Sequence, residues 1–298
     1  MSNLSYMQKA SDRGQLQIHV TTERGFFPIK DASIRLSYTG NPTEIIEELS
    51  TDISGQTAAV ELPAPPLEYS MEPSEFQPYS EYTIQVNASG YRPINISGIS
   101  VLPDKTSIQN VRMETATVEN PLERNIVITA NTLYGNFPPK IPEDEIKPMT
   151  ESGEIVLSRV VIPEYVIVHD GPPSDSSAND YYVRYRDYIK NVASSEIYAT
   201  WPDAALRANI LAIMSFTLNR VYTEWYRNKG YSFTITSSTA YDQKFTYGRN
   251  IFQSISDIVD EMFQNYLSTA ETFFPTFPIS SMRCLTATFP ARTSASRF

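Results

Sequence analysis

Cysteine is nearly absent. Cys284 stands alone in 298 residues, which excludes an internal disulfide and a cysteine-based zinc site. Histidine is almost as scarce: His19 and His169 lie far apart and read as lone sheet or surface residues rather than ligands. No metal and no cofactor are therefore expected. No apolar run approaches the ~20 residues of a membrane span. The N-terminal stretch MSNLSYMQKASDRGQ has no hydrophobic segment of the secretory type, so the sequence predicts synthesis in a cytoplasm without a signal peptide. Basic residues are outnumbered, 24 Lys and Arg against 34 Asp and Glu, for a formal net charge of −10. Nucleic acid is excluded as a partner, because a phosphate backbone needs a basic face. Tyrosine, by contrast, is abundant at 19 residues, which suits β-sheet surfaces and also the stacking faces of a glycan groove.

Residues 15–113 read as β throughout. Leu16, Ile18 and Val20 alternate with polar neighbours, as do Ile34 with Leu36 and Ile84 with Val86. Turn signals separate these runs at Arg24-Gly25, Gly40-Asn41-Pro42, Ser54-Gly55, Ser89-Gly90 and Pro103-Asp104. Short strands at this spacing predict a small antiparallel sandwich. Prolines and acids then crowd together in PPKIPEDEIKPMT (138–150), with little to bury, and predict an exposed, extended linker.

The second half is organised around residues 188–226. A run of small and polar residues ends in a single acid, Glu196, and a helix is expected to start just after it. Thr200 precedes Asp203 by three residues with Pro202 in the first turn, the pattern of a capped N-terminus. Leu206, Ile210, Ile213, Thr217, Val221 and Trp225 recur at intervals of three and four, one apolar stripe on a long helix that Gly230 would stop. Residues 154–158 and 165–169 alternate as strands, residues 181–188 with their four tyrosines read as a further strand, and residues 232–236 as another. A second amphipathic helix is expected from Ile251 through Ile255, Ile258, Val259 and Met262 to Leu267. By itself an acid beside a helix N-terminus serves the helix dipole or solvation.

The order VASSEIYATWPDAALRA (192–208) resembles the signature of the SpoIID (stage II sporulation protein D) family of lytic transglycosylases. More narrowly, residues 187–267 resemble the catalytic part of SleC-type spore cortex-lytic enzymes, with ITSSTAYDQ (235–243) and YGRNIF (247–252) extending the match. The strand region is similar to carboxypeptidase-regulatory-like domains: Pro28-Ile29-Lys30-Asp31-Ala32, Thr51-Asp52-Ile53-Ser54-Gly55 and Gly90-Tyr91 stand at their motif positions. The expected architecture is therefore α+β and multidomain. An N-terminal antiparallel β-sandwich of pro- or regulatory type spans 1–115 and a linker 116–154. A SpoIID-like catalytic domain built on one long helix spans 155–277, and a divergent tail 278–298.

The resemblance implies a peptidoglycan lytic transglycosylase acting on spore cortex during germination, with glycan strands as partner and Glu196 as the catalytic acid. Tyr241 and Gln243 stand at the family's groove positions and are expected to contact substrate, with Ser238, Thr239 and Trp201 beside them. Their alternative use is a satisfied turn network. A zymogen is implied too, cut by a germination protease between about Lys147 and Val161; a plain linker suits the same composition. Location in the spore cortex or coat region follows from the resemblance.

Two departures point to an alternative, a non-catalytic peptidoglycan-binding or spore-structural protein derived from that enzyme. Where the family carries an arginine on the long helix, this chain reads Ala212-Ile213-Met214-Ser215-Phe216. After Phe277 the family's SQWG segment does not appear. The acid-free stretch 278–298 is either a divergent tail or the product of a shifted reading frame.

Overall fold

Alternating apolar residues make strands here because successive side chains leave a strand on opposite faces. The computed structural model describes residues 12–24, 26–73, 75–117, 122–131, 133 and 160–266. The expected strand at 154–158, most of the cleavage window and the tail from Pro278 lie outside these residues. The chain divides into two units. The first takes the described residues within Met1–Gly135, Ser194–Pro202 and Thr246–Asp257. The second takes those within Asn136–Ala193, Asp203–Phe245 and Ile258–Phe298.

The first unit holds β1 (Asp12–Thr22), β2 (Ser33–Tyr38), β3 (Asn41–Ser50), β4 (Val60–Ala64), the one-turn helix α1 (Glu68–Met71), β5 (Ser80–Asn87), β6 (Ile94–Val101), β7 (Thr106–Met113) and β8 (Arg124–Val127). A short strand from far along the chain, β12 (Ile251–Phe252), joins them. One sheet runs in the order β12-β7-β1-β4 and the other β3-β2-β5-β6-β8. Leu16, Ile18 and Val20 from the first sheet and Ile34, Leu36, Ile84 and Ile96 from the second are buried in one core. The expected purely antiparallel pairing is corrected, since β1 and β7 run parallel from Gln15–Thr106 to Thr22–Met113, and β6 and β8 are parallel as well. The chain changes sheets at the Pro103-Asp104 turn, where Asp104 takes a φ of 55°, and so arrives beside β1 in the same direction. β8 falls within the stretch read as linker and extends the second sheet.

The T-D-x-x-G motif is a turn. Asp52 Oδ1 accepts from the Ser54 amide, the Ser54 hydroxyl and the Gln56 amide at 2.6–3.0 Å, and Gly55 has a φ of 73°. Close by, His19 sits in β1 with its Nε2 buried and unpartnered. Burial holds its imidazole below the ordinary value of 6.5, against a weaker opposing pull from Asp52. The unfolded chain therefore takes up a proton first as the pH falls, and the unit loses stability below about 6.5. Urea unfolding at about pH 7.5 and about pH 5.5 should show this loss, and His19→Gln should reduce it.

In the second unit β10 (Asp180–Arg184) pairs antiparallel with β9 (Tyr165–His169), and β11 (Ile235–Thr236) pairs with β9 in parallel. The strand expected over 181–188 stops at Arg184. From there α2 (Tyr185–Glu196) runs as a helix, because Tyr185, Tyr188, Ile189 and Val192 fall on one face and are all buried. Glu196 is thus the last residue of a helix and not a residue ahead of one. The next helix, α3 (Asp203–Tyr222), carries the expected stripe, but burial widens from Ile213 to Leu218 to cover every face. The hydroxyl of Thr200 donates to Ser70 at 2.8 Å instead of capping α3. Gly230, at a φ of 85°, closes a 3-10 turn over Arg227–Lys229, and α4 (Gln253–Met262) begins two residues after Ile251 because Ile251 and Phe252 are taken by β12. No helix among the described residues is long and apolar enough to cross a membrane.

Candidate functional site

Glu196 is set apart by its neighbours. Every other residue from Asn191 to Ala199 is buried, and Glu196 alone of that run is partly exposed. It ends α2, where the helix dipole works against a negative charge. Glu196, with Ser194 and Ser195, belongs to the first unit, whereas the earlier residues of α2 belong to the second.

What holds this segment in the first unit is a set of buried polar contacts. The Tyr198 hydroxyl meets the Asn131 carbonyl and the Leu133 amide, each at 3.3 Å. The Asn131 amide donates to Tyr79 Oη at 2.7 Å. The Asn131 side-chain amide lies 2.6 Å from the Ser195 carbonyl and 2.8 Å from Arg249 Nη2; a carbonyl only accepts and a guanidinium only donates, which assigns Nδ2 to Ser195 and Oδ1 to Arg249. Trp201 packs edge-on to Tyr198, with ring centroids 6.1 Å apart, and its indole N–H donates to the Ser70 carbonyl at 2.9 Å. Burial pushes the Tyr79 phenol up to about 12 and the Arg249 guanidinium down to about 10.

The YGRNIF stretch is stitched to the same unit. Asn250 grips the Ser100 backbone at both ends, accepting from its N–H at 3.0 Å and donating to its carbonyl at 2.9 Å. Gln109 Nε2 donates to the Gly248 carbonyl at 3.0 Å, and β12 pairs antiparallel with β7. Gly248 takes a φ of 80°, and a Cβ there would stand 2.6 Å from Ile126 Cγ2, so glycine is required.

In the second unit the expected groove residues form one loop. Ser238 starts it, its carbonyl accepting from the amides of Tyr241 and Asp242. Ser238, Thr239 and Tyr241 are partly exposed. Gln243 is buried: its Oε1 accepts from the hydroxyls of Tyr188 at 3.2 Å and Thr217 at 2.9 Å, and its Nε2 donates to the Ile213 carbonyl at 3.1 Å. Asp242, which sequence reasoning passed over, anchors the loop. It pairs with Arg220 at 2.8 Å and accepts from Tyr226 Oη at 2.6 Å and from the amide and hydroxyl of Thr236 at 2.9 and 2.7 Å. An acid flanked by two motif residues, Tyr241 and Gln243, was the available signal. His169 is buried, stacked on Phe233, with Nδ1 2.7 Å from Asp180 Oδ1. No group of three or more His, Cys, Asp or Glu suited to a metal occurs among the described residues.

Residues 178–270 match the family model of SpoIID, Stage II sporulation protein. This match supports the resemblance carried by the Glu196 and Tyr241 motifs. A comparison with curated proteins finds no match. Among solved structures, the Bacillus anthracis TIE protein is 17% identical over 35% of this chain and 17% of its own, with a TM-score of 0.25. The minor pilin GBS52 of Streptococcus agalactiae is 15% identical over 36% of this chain and 46% of its own, with a TM-score of 0.25. Klebsiella pneumoniae 5-hydroxyisourate hydrolase is 17% identical over 34% of this chain and 86% of its own, with a TM-score of 0.22. The chain spans less than half the length of the first two. Likeness at this level defines neither fold nor chemistry.

Proposed function

We propose that this chain is a peptidoglycan lytic transglycosylase of the SleC type, cleaving the MurNAc–GlcNAc bond of spore cortex to 1,6-anhydro products. The observation that carries the reading is Glu196 itself, the one residue of 191–199 that is not buried, in the segment that matches the SpoIID family. Glycosidases of the ordinary kind need two carboxyl groups, one to protonate the leaving oxygen and one to attack or to activate water. A transglycosylase needs one. Glu196 gives its proton to the glycosidic oxygen as the C1–O bond breaks, and the same carboxylate then takes the proton of the muramyl C6 hydroxyl as that oxygen closes on C1. The proton balance is zero over the cycle. The first step requires a neutral carboxyl group, and the C-terminal position on α2 favours that form.

Tyr241, Ser238 and Thr239 are assigned as substrate contacts because they retain exposed surface, and Trp201 as a wall beside Glu196. Gln243 is given a positioning role, since both ends of its amide are engaged internally. That engagement, together with the buried Met214 at the family's arginine position, favours the second reading of a non-catalytic peptidoglycan-binding or spore-structural protein. Digestion of cortex peptidoglycan followed by mass analysis separates the two. Anhydromuramyl products from the wild type, reduced roughly 10²-fold or more in Glu196→Gln, are expected. Reducing-end products would mean a hydrolase, and no products a binder.

The zymogen reading takes a narrower form. A germination protease cutting between Lys147 and Val161 would sever the chain without separating the first unit, which draws on residues from both sides of that cut.

A further inference from the structure

Arg249 is 4% exposed, and its hydrogen-bond partners are neutral. Nη2 donates to Asn131 Oδ1 at 2.8 Å, Nη1 lies 3.5 Å from the Thr129 carbonyl, and Nε is buried without a partner. A buried guanidinium is ordinarily matched by a carboxylate, because desolvation of the charge is costly. Glu81 lies near enough to be felt, yet burial dominates and lowers the affinity of Arg249 for its proton. A packed apolar side chain would suit the site at least as well for stability alone. Stability alone does not account for a guanidinium at this position.

Its geometry offers another account. A guanidinium only donates, so it dictates which end of the Asn131 amide faces it. With Oδ1 turned to Arg249, Nδ2 is turned to the Ser195 carbonyl, 2.6 Å away. That carbonyl belongs to the last turn of α2, where backbone acceptors lack partners within the helix. The backbone of Asn131 is fixed in turn by Tyr79 and Tyr198. Glu196 is therefore bracketed, one residue before it and two after it, by a single asparagine whose orientation a buried arginine sets. All of these residues lie in the first unit.

We propose that Arg249 and Asn131 are positioning residues that aim the Glu196 carboxyl group through Ser195 and Tyr198. The proposal rests on the transglycosylase reading for its catalytic meaning, but the placement of Glu196 is testable without it. Asn131→Asp isolates the relay: it keeps an acceptor for Arg249, supplies the missing carboxylate, and removes the donor to the Ser195 carbonyl. Arg249→Met replaces the cation with an apolar side chain of similar length.

The full chain is used throughout, with thermal unfolding, product release from peptidoglycan, and NMR titration of the Glu196 carboxyl carbon. Both variants are expected to remain folded, which thermal unfolding checks before activities are compared. They should keep the wild-type KM and lose kcat by roughly 10²-fold, with the Glu196 titration displaced. Arg249→Lys, which retains a donor for Asn131, should recover part of the loss. Wild-type kcat in a folded Asn131→Asp protein would overturn the proposal. If the wild type yields no product, the transglycosylase reading fails by itself and the titration still decides. A displaced Glu196 titration in both variants sustains the positioning role, and an unchanged one ends it.

Discussion

Asp242→Ala is expected to destabilise the second unit by about 3–5 kcal/mol, the cost of leaving a buried cation without its partner. The Arg220 and Asp242 side chains are 2% and 0% exposed, so water cannot replace the lost carboxylate without opening the structure. Arg220 lies 4.6 Å from the ring centroids of both Phe216 and Trp225, an environment that tolerates the charge but does not neutralise it. The variant also strands the Tyr226 hydroxyl and the Thr236 amide, both of which donate to Asp242. Urea unfolding monitored by circular dichroism measures the loss. Pairing Asp242→Leu with Arg220→Met removes both charges together and should recover much of it, since apolar replacement of a whole buried pair is often neutral. A single variant within about 1 kcal/mol of wild type would mean that the pair is solvated after all. The loop that carries Tyr241 hangs on Asp242, so on the function proposed above peptidoglycan binding should weaken in step.

A fragment beginning at residue 160 is expected not to fold, although it contains every described residue that matches the SpoIID model. Removing the N-terminal strands takes β7 from β12, the Ser100 backbone from Asn250, Ser70 from Thr200 and Trp201, and Asn131 from Ser195, Tyr198 and Arg249. Tyr198 and Phe252 are 2% and 1% exposed in the whole chain. Exposing large apolar side chains costs about 1.5–3 kcal/mol each. Against a domain stability of about 5–15 kcal/mol, a few such losses with orphaned polar groups suffice to unfold the remainder. A chain cut within 147–161 should instead keep its two pieces together in gel filtration at low denaturant. A soluble, cooperatively melting fragment from residue 160 would show that the N-terminal region is dispensable.

The difference between these two predictions mirrors what could be seen in the sequence. Strands such as β1, β2 and β5 were legible because Leu16-Ile18-Val20, Ile34-Leu36 and Ile84-Val86 alternate without interruption. α3 was legible because its stripe keeps the helical period. α2 was not, although Tyr185, Tyr188, Ile189 and Val192 hold the same period, because four tyrosines within eight residues carry a strand preference that tertiary packing overrides. Parallel pairing of β1 with β7 and the capture of Ile251–Phe252 by β7 depend on partners far away in sequence and leave no local trace. At the candidate site Glu196 was visible only through family resemblance. Asn131 carries no pattern at all, and Arg249 lies within the YGRNIF motif with nothing in the sequence to link it to Asn131 until the fold brings them together.

The first unit is assembled from three separated stretches, and this sets an order of events during synthesis. Residues 12–133 leave the ribosome well before 246–257, and at about 5–20 residues per second the early strands wait several seconds or more for the strand that pairs with β7. Contacts that span more than a hundred residues also close slowly once both partners exist. Glu196 thus emerges before Arg249, whose guanidinium meets Asn131 in the folded first unit. The segment around Glu196 therefore reaches its final contacts only after translation has passed residue 257, so any activity that depends on those contacts is withheld from the nascent chain.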